Sequence, residues 1–354
     1  MKTKVYIRSS GMISPQNTFG KSITLENPVL PGGNRMNAIE PDYKQILDAK
    51  SIRRMSRIIK MATAAAQECM DAADLKQPDA IITGTAYGCL EDTITFLERM
   101  VENQEEMLTP TAFIQSTHNS IGAQIALTMK CHGYNNTFVH RGHSFEQALL
   151  DAMLLIAEGE MKNILVGGVD EITDTSHAIL SRFGLFRREP VVSDLITNPG
   201  KGTIQGEGAG FFLLSSEASG DDMATLDHLA LHFKPSGTHD LLDFINQEME
   251  AQQISIEDID LFVLGLNGDL KNDSEYDVLQ SAIRDHQKNA FFKQLSGEYP
   301  TAVSFALWLA ATTLKNKKLP FSGPGMSSGV NMKRVLICNA GLDGHHSLIL
   351  LSAC

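Results

Sequence analysis

The sequence has few cysteines, and their spacing does not link them. The five cysteines among 354 residues are scattered and odd in number, and they form no CxxC pair. A disulfide framework or a structural zinc site is typically built from even-numbered or closely spaced cysteines, so this pattern argues against both. We therefore expect reduced, structural cysteines and no metal site.

Long apolar runs and an excess of positive charge are also missing. The longest apolar stretch, FALWLAATTL from Phe305, is too short to cross a bilayer, and the amino terminus lacks the apolar core of a signal peptide. Thirty basic against forty-two acidic side chains give a net charge of −12, which disfavours nonspecific binding to nucleic acid or to an anionic membrane. We therefore expect a cytoplasmic globular protein. The one basic run, Lys50 to Lys60, is interpreted as a solvated helix face, with a docking patch for an acidic partner as the alternative.

No linker divides the chain, but its two parts show a weak duplication. DAIITGTAYG at 79–88 and DLFVLGLNG at 260–268 each place an Asp before an apolar strand that reaches Gly five residues later. KNILVGGVD from Lys162 and KRVLICNAGLD from Lys333 form a second pair, and both pairs are separated by about half the chain. The duplication predicts two similar halves, residues 1–217 and 218–354, in one compact unit.

The order of strands and helices predicts an α/β fold. Continuous Val, Ile and Leu strands that alternate with helices are typical of sheets buried on both faces. The segment 144–158 has apolar residues at helical spacing and further leucines on its other side, which predicts a helix in a central layer. The simplest arrangement is a sheet in each half with shared helices between the sheets.

Several motifs occur in a fixed order along almost the whole chain. They are GMISP at 11–15, RRMSR at 53–57, the strand, turn and helix at 137–158, GEGAG at 206–210 and NAGLDGHHSLIL at 339–350. By these motifs the chain resembles the β-ketoacyl synthase family of the thiolase superfamily. The resemblance implies a thiolase-like fold with two pseudo-duplicated βα halves in a layered αβαβα core. GEGAG leads into a strand, whereas a dinucleotide-binding loop opens a helix, so we expect no cofactor.

The resemblance also places the family's catalytic positions on this sequence. Members of the family join a carrier-bound acyl chain to a malonyl unit with a cysteine nucleophile at a helix start, two histidines and a lysine. The nucleophile position is Gly142 here, and without a side chain no acyl-enzyme can form there. Asn267 stands at the first histidine and cannot exchange a proton near neutral pH. Lys293 is kept, and Glu298 replaces the second histidine, where it would repel developing negative charge.

This loss of catalytic groups resembles the non-catalytic partner subunits of the family, the chain-length factors. The resemblance implies a subunit that is inactive alone and pairs with an active ketosynthase in fatty acid, polyketide or polyene biosynthesis; a homodimer stays open. Acyl carrier proteins are acidic, so we expect the carrier to dock mainly on the partner. By resemblance, Phe113 and Ile114 lie at the dimer interface and acyl tunnel, although core packing explains them equally well.

Two other functions stay open. One is a repurposed enzyme, because two histidines flank the turn at Gly142 and the closing loop of this fold would bring more polar groups to it, as a metal or acid/base site. The residues of this alternative site are His140, His143, Ser144, Asp343, His345 and His346. The other is a module that binds an acyl chain or a carrier protein. Ser144 itself fits a capping box with Gln147 better than it fits a nucleophile.

Overall fold

A computed structural model describes residues 3–20, 28–108, 110–191, 194–233, 240–283, 288–319, 332–342 and 344–354. The strands are β1 (Val5–Ile13), β2 (Arg35–Met36), β3 (Ala80–Gly84), β4 (Tyr134–Phe138), β5 (Asn163–Asp170), β6 (Gln205–Gly206), β7 (Gly208–Ser215), β8 (Ala224–Phe233), β9 (Leu261–Leu264), β10 (Lys288–Phe291), β11 (Arg334–Ala340) and β12 (His345–Ser352). The helices are α1 (Ala49–Ile52), α2 (Arg57–Ala72), α3 (Leu90–Glu102), α4 (Pro110–Gln115), α5 (Ser120–Met129), α6 (Ser144–Ala157), α7 (Asp174–Arg182), α8 (Asp240–Ala251), α9 (Leu270–Asp273), α10 (Asp277–Ala282), α11 (Lys293–Ser296) and α12 (Val303–Asn316). Short 3-10 turns lie at Tyr43–Gln45, Arg141–His143, Ile256–Asp258 and Ser274–Tyr276.

The main sheet repeats one topology twice. Its strand order is β10-β9-β11-β12-β8-β1-β7-β5-β3-β4, and β2 and β6 form a separate small pair. Outward from the middle, β1-β7-β5-β3-β4 matches β8-β12-β11-β9-β10, with the same change from antiparallel to parallel pairing. The predicted α/β fold with two pseudo-duplicated halves is therefore confirmed. The division between residues 217 and 218 stays a prediction.

The duplicated aspartates make the same contact in both halves. The Asp79 carboxylate accepts hydrogen bonds from the backbone N–H groups of residues 162–163 at 3.0 and 2.8 Å. The Asp260 carboxylate accepts the equivalent bonds from residues 333–334 at 2.7 and 2.9 Å. Each aspartate satisfies the backbone donors where the neighbouring parallel strand begins, so the repeated Asp has the same structural role in both halves.

The two halves share one continuous sheet, whereas the sequence predicted a sheet in each half. The first strands of the halves, β1 and β8, pair antiparallel, with Val5 opposite Leu226 and Ile7 opposite Ala224. This pairing satisfies the strand edges that would otherwise end each half. The prediction of two separate sheets was therefore wrong.

Three apolar cores separate the layers. The central core contains α6, α12 and one face of the sheet in each half, while α2 and α5 cover the other face of the first half and α8 covers that of the second. The predicted αβαβα layering is therefore confirmed. Helix α12 is buried from Val303 to Leu314. Helix α6 is less enclosed than predicted, because it lies beside the edge strand β4 and leaves Leu154 51% exposed.

The long apolar stretch of the sequence is thus a central helix of the fold. It lies within α12, where Phe305 and Trp308 are almost completely buried. Within the described ranges, no helix is both long and apolar enough to span a membrane.

An ion pair joins two of the sequence motifs. Arg57, from RRMSR, donates two hydrogen bonds at 2.7 and 2.5 Å to the buried carboxylate of Glu207, from GEGAG, and a third at 2.6 Å to Glu40. Such a bidentate geometry is the strong form of the arginine–carboxylate bond. The solvated face predicted for residues 50–60 therefore does not include Arg57, whereas residues 53–54 are exposed.

A close backbone contact fixes the start of α6 against β3. A Cβ atom placed on Gly84, the last residue of β3, would lie 2.4 Å from the carbonyl oxygen of Ser144 and 2.6 Å from the Cα of Phe145. The strand and helix can approach this closely only because residue 84 is glycine. The contact holds the turn before α6 in place.

We expect Gly84→Ala to destabilise the protein by roughly 1–3 kcal/mol, because overpacking must push α6 away from β3. Urea unfolding followed by circular dichroism measures the change. Gly33→Ala is the matched control, since a Cβ there has no neighbour within 4 Å. Equal unfolding midpoints for the two variants would show that the contact does not constrain the fold.

Candidate functional site

The turn before α6 is closed by a serine. After β4 the chain enters the 3-10 turn Arg141–His143, with Arg141 in the left-handed region at φ 49°. The hydroxyl of Ser144 accepts a hydrogen bond from the His140 N–H and donates one to the Arg141 carbonyl, both at 2.8 Å. The predicted capping box with Gln147 was wrong, because Ser144 is already the first helical residue and its hydroxyl holds the turn instead.

A histidine from the other half of the chain lies beside Gly142. A Cβ atom placed on Gly142 would lie 3.2 Å from the Cβ of His345 and 3.4 Å from its Nδ1. His345 is the first residue of β12 and follows a tight turn in which the Gly344 N–H donates to the Gly341 carbonyl. His345 thus crowds the position of a side chain at residue 142 and would have to shift by a few tenths of an ångström to admit one.

Three histidines meet at this point. One ring nitrogen from each of His140, His143 and His345 lies within 4.8 Å of one from each of the others. The rings of His143 and His345 are nearly perpendicular, with centroids 4.5 Å apart. His143 and His345 are buried, whereas His140 is exposed. We call these three residues the histidine cluster.

The central ring of the cluster is held in one orientation. The Nε2 of His143 lies 3.0 Å from the carbonyl oxygen of His346, and since a carbonyl only accepts, Nε2 carries the proton. Burial, followed by the neighbouring His345, lowers the pKa of His143 to about 4. His143 is therefore a neutral imidazole at physiological pH, with Nδ1 as its basic nitrogen.

The remaining predicted members do not join the cluster through their side chains. The ring of His346 is buried, and its Nε2 lies 2.7 Å from a carboxylate oxygen of Glu275. Successive residues of a strand face opposite sides, so His346 points away when His345 points toward Gly142. Asp343 lies outside the described residues.

The other degenerate positions form one buried network. The Lys293 Nζ lies 2.8 Å from Glu298 Oε2, and the same oxygen accepts a hydrogen bond of 2.7 Å from the Asn267 side chain. Lys293 also donates to the Ala340 carbonyl at 3.2 Å. All three side chains are buried. The lysine and the carboxylate form a buried ion pair, and the asparagine amide bonds to the same carboxylate oxygen.

A fully buried carboxyl group, which the sequence did not predict, lies one turn beyond Gly142. Glu146 accepts a hydrogen bond of 3.0 Å from the Ser347 hydroxyl, and its Oε2 has no hydrogen-bond partner among the described residues. Burial raises the pKa of Glu146 to about 8, although the Ser347 bond and the charge of Lys293 act in the opposite direction. The carboxyl is thus largely protonated at neutral pH. A glutamate in the first turn of a helix predicted to be central was the available sequence signal.

A small cavity lies beside Gly142 and Glu298. Its volume is about 60 Å³. A water molecule needs roughly 10–15 Å³ of such space, so the cavity has room for a few waters and not for an acyl chain. Its lining includes Gly142, Gln205, Glu298, Tyr299, Asn339 and Leu342.

None of the five cysteines can replace a nucleophile at residue 142. Burial raises the pKa of Cys69 and of Cys89 to about 12, and it also raises the pKa of Cys338. Cys131 is buried beside the Pro78 carbonyl, and Cys354 is the exposed last residue. None of them lines the cavity beside Gly142.

Phe113 and Ile114 lie on the surface and not in a core. They are 57% and 63% exposed on α4, and Val101 on α3 and Leu127 on α5 are 80% and 73% exposed. Strand β4, which contacts α5, is an edge of the sheet. We call these four side chains, together with β4, the edge surface. The alternative of ordinary core packing for Phe113 and Ile114 was wrong, because both side chains are exposed.

Residues 33–204 match the family model described as the N-terminal domain of β-ketoacyl synthases. A comparison with curated protein sequences finds no match.

Solved structures share the whole fold of the chain. The ishigamide ketosynthase/chain length factor has a TM-score of 0.81 at 17% identity, and a type II polyketide synthase acyl-carrier protein complex with its ketosynthase has 0.80 at 15%; each similarity covers 100% of both chains. A ketosynthase in complex with its chain length factor from Xenorhabdus doucetiae has 0.77 at 16% identity, over 99% of this chain and 98% of that one. At these identities the similarity establishes the fold, and the predicted thiolase-like architecture is confirmed.

We expect Lys293→Met to destabilise the protein by roughly 3–5 kcal/mol, because Glu298 would keep a buried charge without a partner. The free energy of unfolding in urea measures the loss. The double variant Lys293→Met/Glu298→Gln removes both charges and should recover much of it. Lys162→Met, in an exposed ion pair with Glu217, is the matched control and should have little effect. A double variant no more stable than Lys293→Met would contradict the charge argument.

We expect Glu146→Gln to flatten the dependence of stability on pH. The folded-state pKa of Glu146 is raised, so its favourable contribution is complete below the unfolded value near 4.5 and is lost as pH rises toward about 8. Over that window, wild-type stability should fall relative to the variant by at most about 1.4 kcal/mol per pH unit. Unfolding at pH 5, 6.5 and 8 tests this, with exposed Glu102→Gln as control. A constant difference between wild type and Glu146→Gln would mean that the carboxyl is ionised in the fold.

Proposed function

We propose that the chain is a non-catalytic member of the β-ketoacyl synthase family and that it acts as a chain-length-factor-like partner of an active ketosynthase. The pathway would be fatty acid, polyketide or polyene biosynthesis. The observation that carries this proposal is His345 against Gly142, because it crowds the position of the missing nucleophile.

The rest of the site supports inactivity of the chain alone. Condensation in this family needs a nucleophile and groups that stabilise an oxyanion and exchange protons. Asn267 and Lys293 are both bonded to the carboxylate of Glu298 inside the fold. A negative carboxylate at an oxyanion position opposes the reaction, and releasing Lys293 from it would leave a buried charge unpaired.

The edge surface supports a partner subunit. A strand at the edge of a sheet presents unpaired N–H and C=O groups, and it readily pairs with another chain. Exposed apolar side chains next to such a strand are typical of interaction sites. Phe113 and Ile114 are exposed, so the residues predicted for a dimer interface lie where a partner can reach them. A homodimer would use the same surface.

This protein would limit the length of the growing product at a surface outside its own cavity. The cavity beside Gly142 has a volume of about 60 Å³ and holds no acyl chain. The product would therefore extend from the partner's active site to the shared interface, where Phe113 and Ile114 could limit its length. The small cavity also argues against the alternative of an acyl-binding module that works without a partner.

Carrier docking would fall mainly on the partner. The net charge of −12 repels an acidic carrier at long range. Arg57, within the one basic run, is already paired with Glu207 and Glu40, so the local patch is weaker than its sequence indicates. The cytoplasmic location expected from the sequence is part of this proposal.

A second candidate function is chemistry by the histidine cluster itself. It is favoured by the neutral, oriented ring of His143 close to His345 and to the cavity beside Gly142. In that case the chain alone would turn over a substrate, and His143→Ala would abolish the turnover. The partner role predicts no turnover by the chain alone.

We expect condensation products only when this chain and the active ketosynthase of the same organism are combined with malonyl carrier protein and an acyl primer. Each protein is also assayed alone. If Phe113 and Ile114 limit the length of the product, the variants Phe113→Ala and Ile114→Ala should shift the product-length distribution measured by mass spectrometry. Condensation by this chain alone would contradict the assignment of Gly142 as an empty nucleophile position.

The interface is tested separately by binding. We expect Ile114→Asp to weaken association with the ketosynthase by roughly tenfold or more, because a charge would be buried at the contact. Leu270→Asp is the control, since Leu270 is 61% exposed on α9 in the second half. Sedimentation velocity measures both affinities. Equal affinities for the two variants would exclude the edge surface as the interface.

A further inference from the structure

We propose that the histidine cluster binds a divalent transition metal, with Zn²⁺ as the first candidate. The ligands would be His140, His143 and His345. The inference is independent of the proposed partner role, and it replaces the expectation of no metal that the cysteine pattern suggested.

The geometry of the three rings is close to that of a metal site. One nitrogen from each ring lies within 4.8 Å of one from each of the others. Zinc binds imidazole nitrogen at about 2.0–2.1 Å, so ligand nitrogens of a tetrahedral site lie about 3.3 Å apart. A shift of the order of 1 Å would bring the nitrogens to that spacing. His140 is exposed and can supply much of the movement.

One of the buried ligands, His143, is already oriented. The His346 carbonyl accepts the Nε2 proton of His143, which leaves Nδ1 as the ligand atom. Metal-binding histidines commonly donate their second nitrogen to such an acceptor, and this bond fixes the ring. Gly142 adds no side chain between the turn and His345. The site therefore depends on the same glycine that removes the nucleophile.

The chemistry of the ligands selects the metal. Imidazole nitrogens suit zinc, copper, nickel and iron, whereas magnesium and calcium prefer oxygen ligands. Three protein ligands leave one position for water, which is the arrangement of an open zinc site. His140 and His143 come from the turn before α6, and His345 comes from β12. A bound metal would therefore connect the two halves of the chain.

Metal binding can be measured on the full chain without an activity assay. The tag-free protein is stripped with EDTA, dialysed, and titrated with Zn²⁺; bound metal is measured by atomic emission, and the melting temperature is recorded with and without metal. We expect one Zn²⁺ per chain and a higher melting temperature. Co²⁺ in the same site should give the visible absorption of a tetrahedral ion.

Matched variants decide whether the cluster holds the metal. His140→Ala and His345→Ala should each weaken Zn²⁺ binding by more than about tenfold, because loss of a ligand exceeds the usual effect of an outer contact. His132→Ala is the control, since His132 is an exposed histidine just before β4 and outside the cluster. His140 is also exposed, so His140→Ala remains decisive if His345→Ala does not fold. Less than a tenth of an equivalent of zinc, or equal affinities for wild type and His140→Ala, would overturn the proposal.

Discussion

The packing of α6 and α12 between the two halves of the sheet is the constraint on which the rest of the structure depends. Both helices lie in one apolar core that receives one face of the sheet from each half, and α12 is buried along nearly its whole length. Because burial of apolar surface is the main favourable term in folding, this central layer fixes how the halves face each other. The turn before α6 and the start of β12 then meet, although about 200 residues separate them in sequence, and Gly142 lies against His345.

The same meeting point explains why the site is closed. An enzyme would keep space beside the helix start for a substrate, with charged groups free to act. Here an imidazole ring lies against Gly142 and the cavity beside it is small, while Lys293, Glu298 and Asn267 bond to one another inside the protein. Each of these three side chains alone would leave a buried polar group unpaired, whereas together they share one carboxylate oxygen. The three positions therefore form one connected unit of the interior.

Local patterns in the sequence predicted much of the fold, and long-range contacts limited the prediction. The repeated segments at Asp79 and Asp260 mark equivalent strands, because each aspartate accepts hydrogen bonds from the backbone where the neighbouring strand begins. The pairing of β1 with β8 leaves no such periodic pattern, so one sheet was predicted as two. The predicted capping role of Ser144 was wrong because α6 begins at Ser144 itself and not one residue later. Glu146 was missed because its burial follows from β12, which the sequence places far away.

The glycine at residue 142 and the histidine cluster are linked, because both concern the space between the turn before α6 and β12. A Cβ atom at residue 142 would lie 3.2 Å from the Cβ of His345, which is tighter than most packing contacts, so a side chain there would require His345 to shift by a few tenths of an ångström. His143 stays anchored to the His346 carbonyl in either case, because that bond does not involve residue 142. The glycine is thus the residue that lets β12 contribute a side chain to the turn. With glycine at residue 142, the turn before α6 carries no reactive side chain there and instead contacts β12 of the other half.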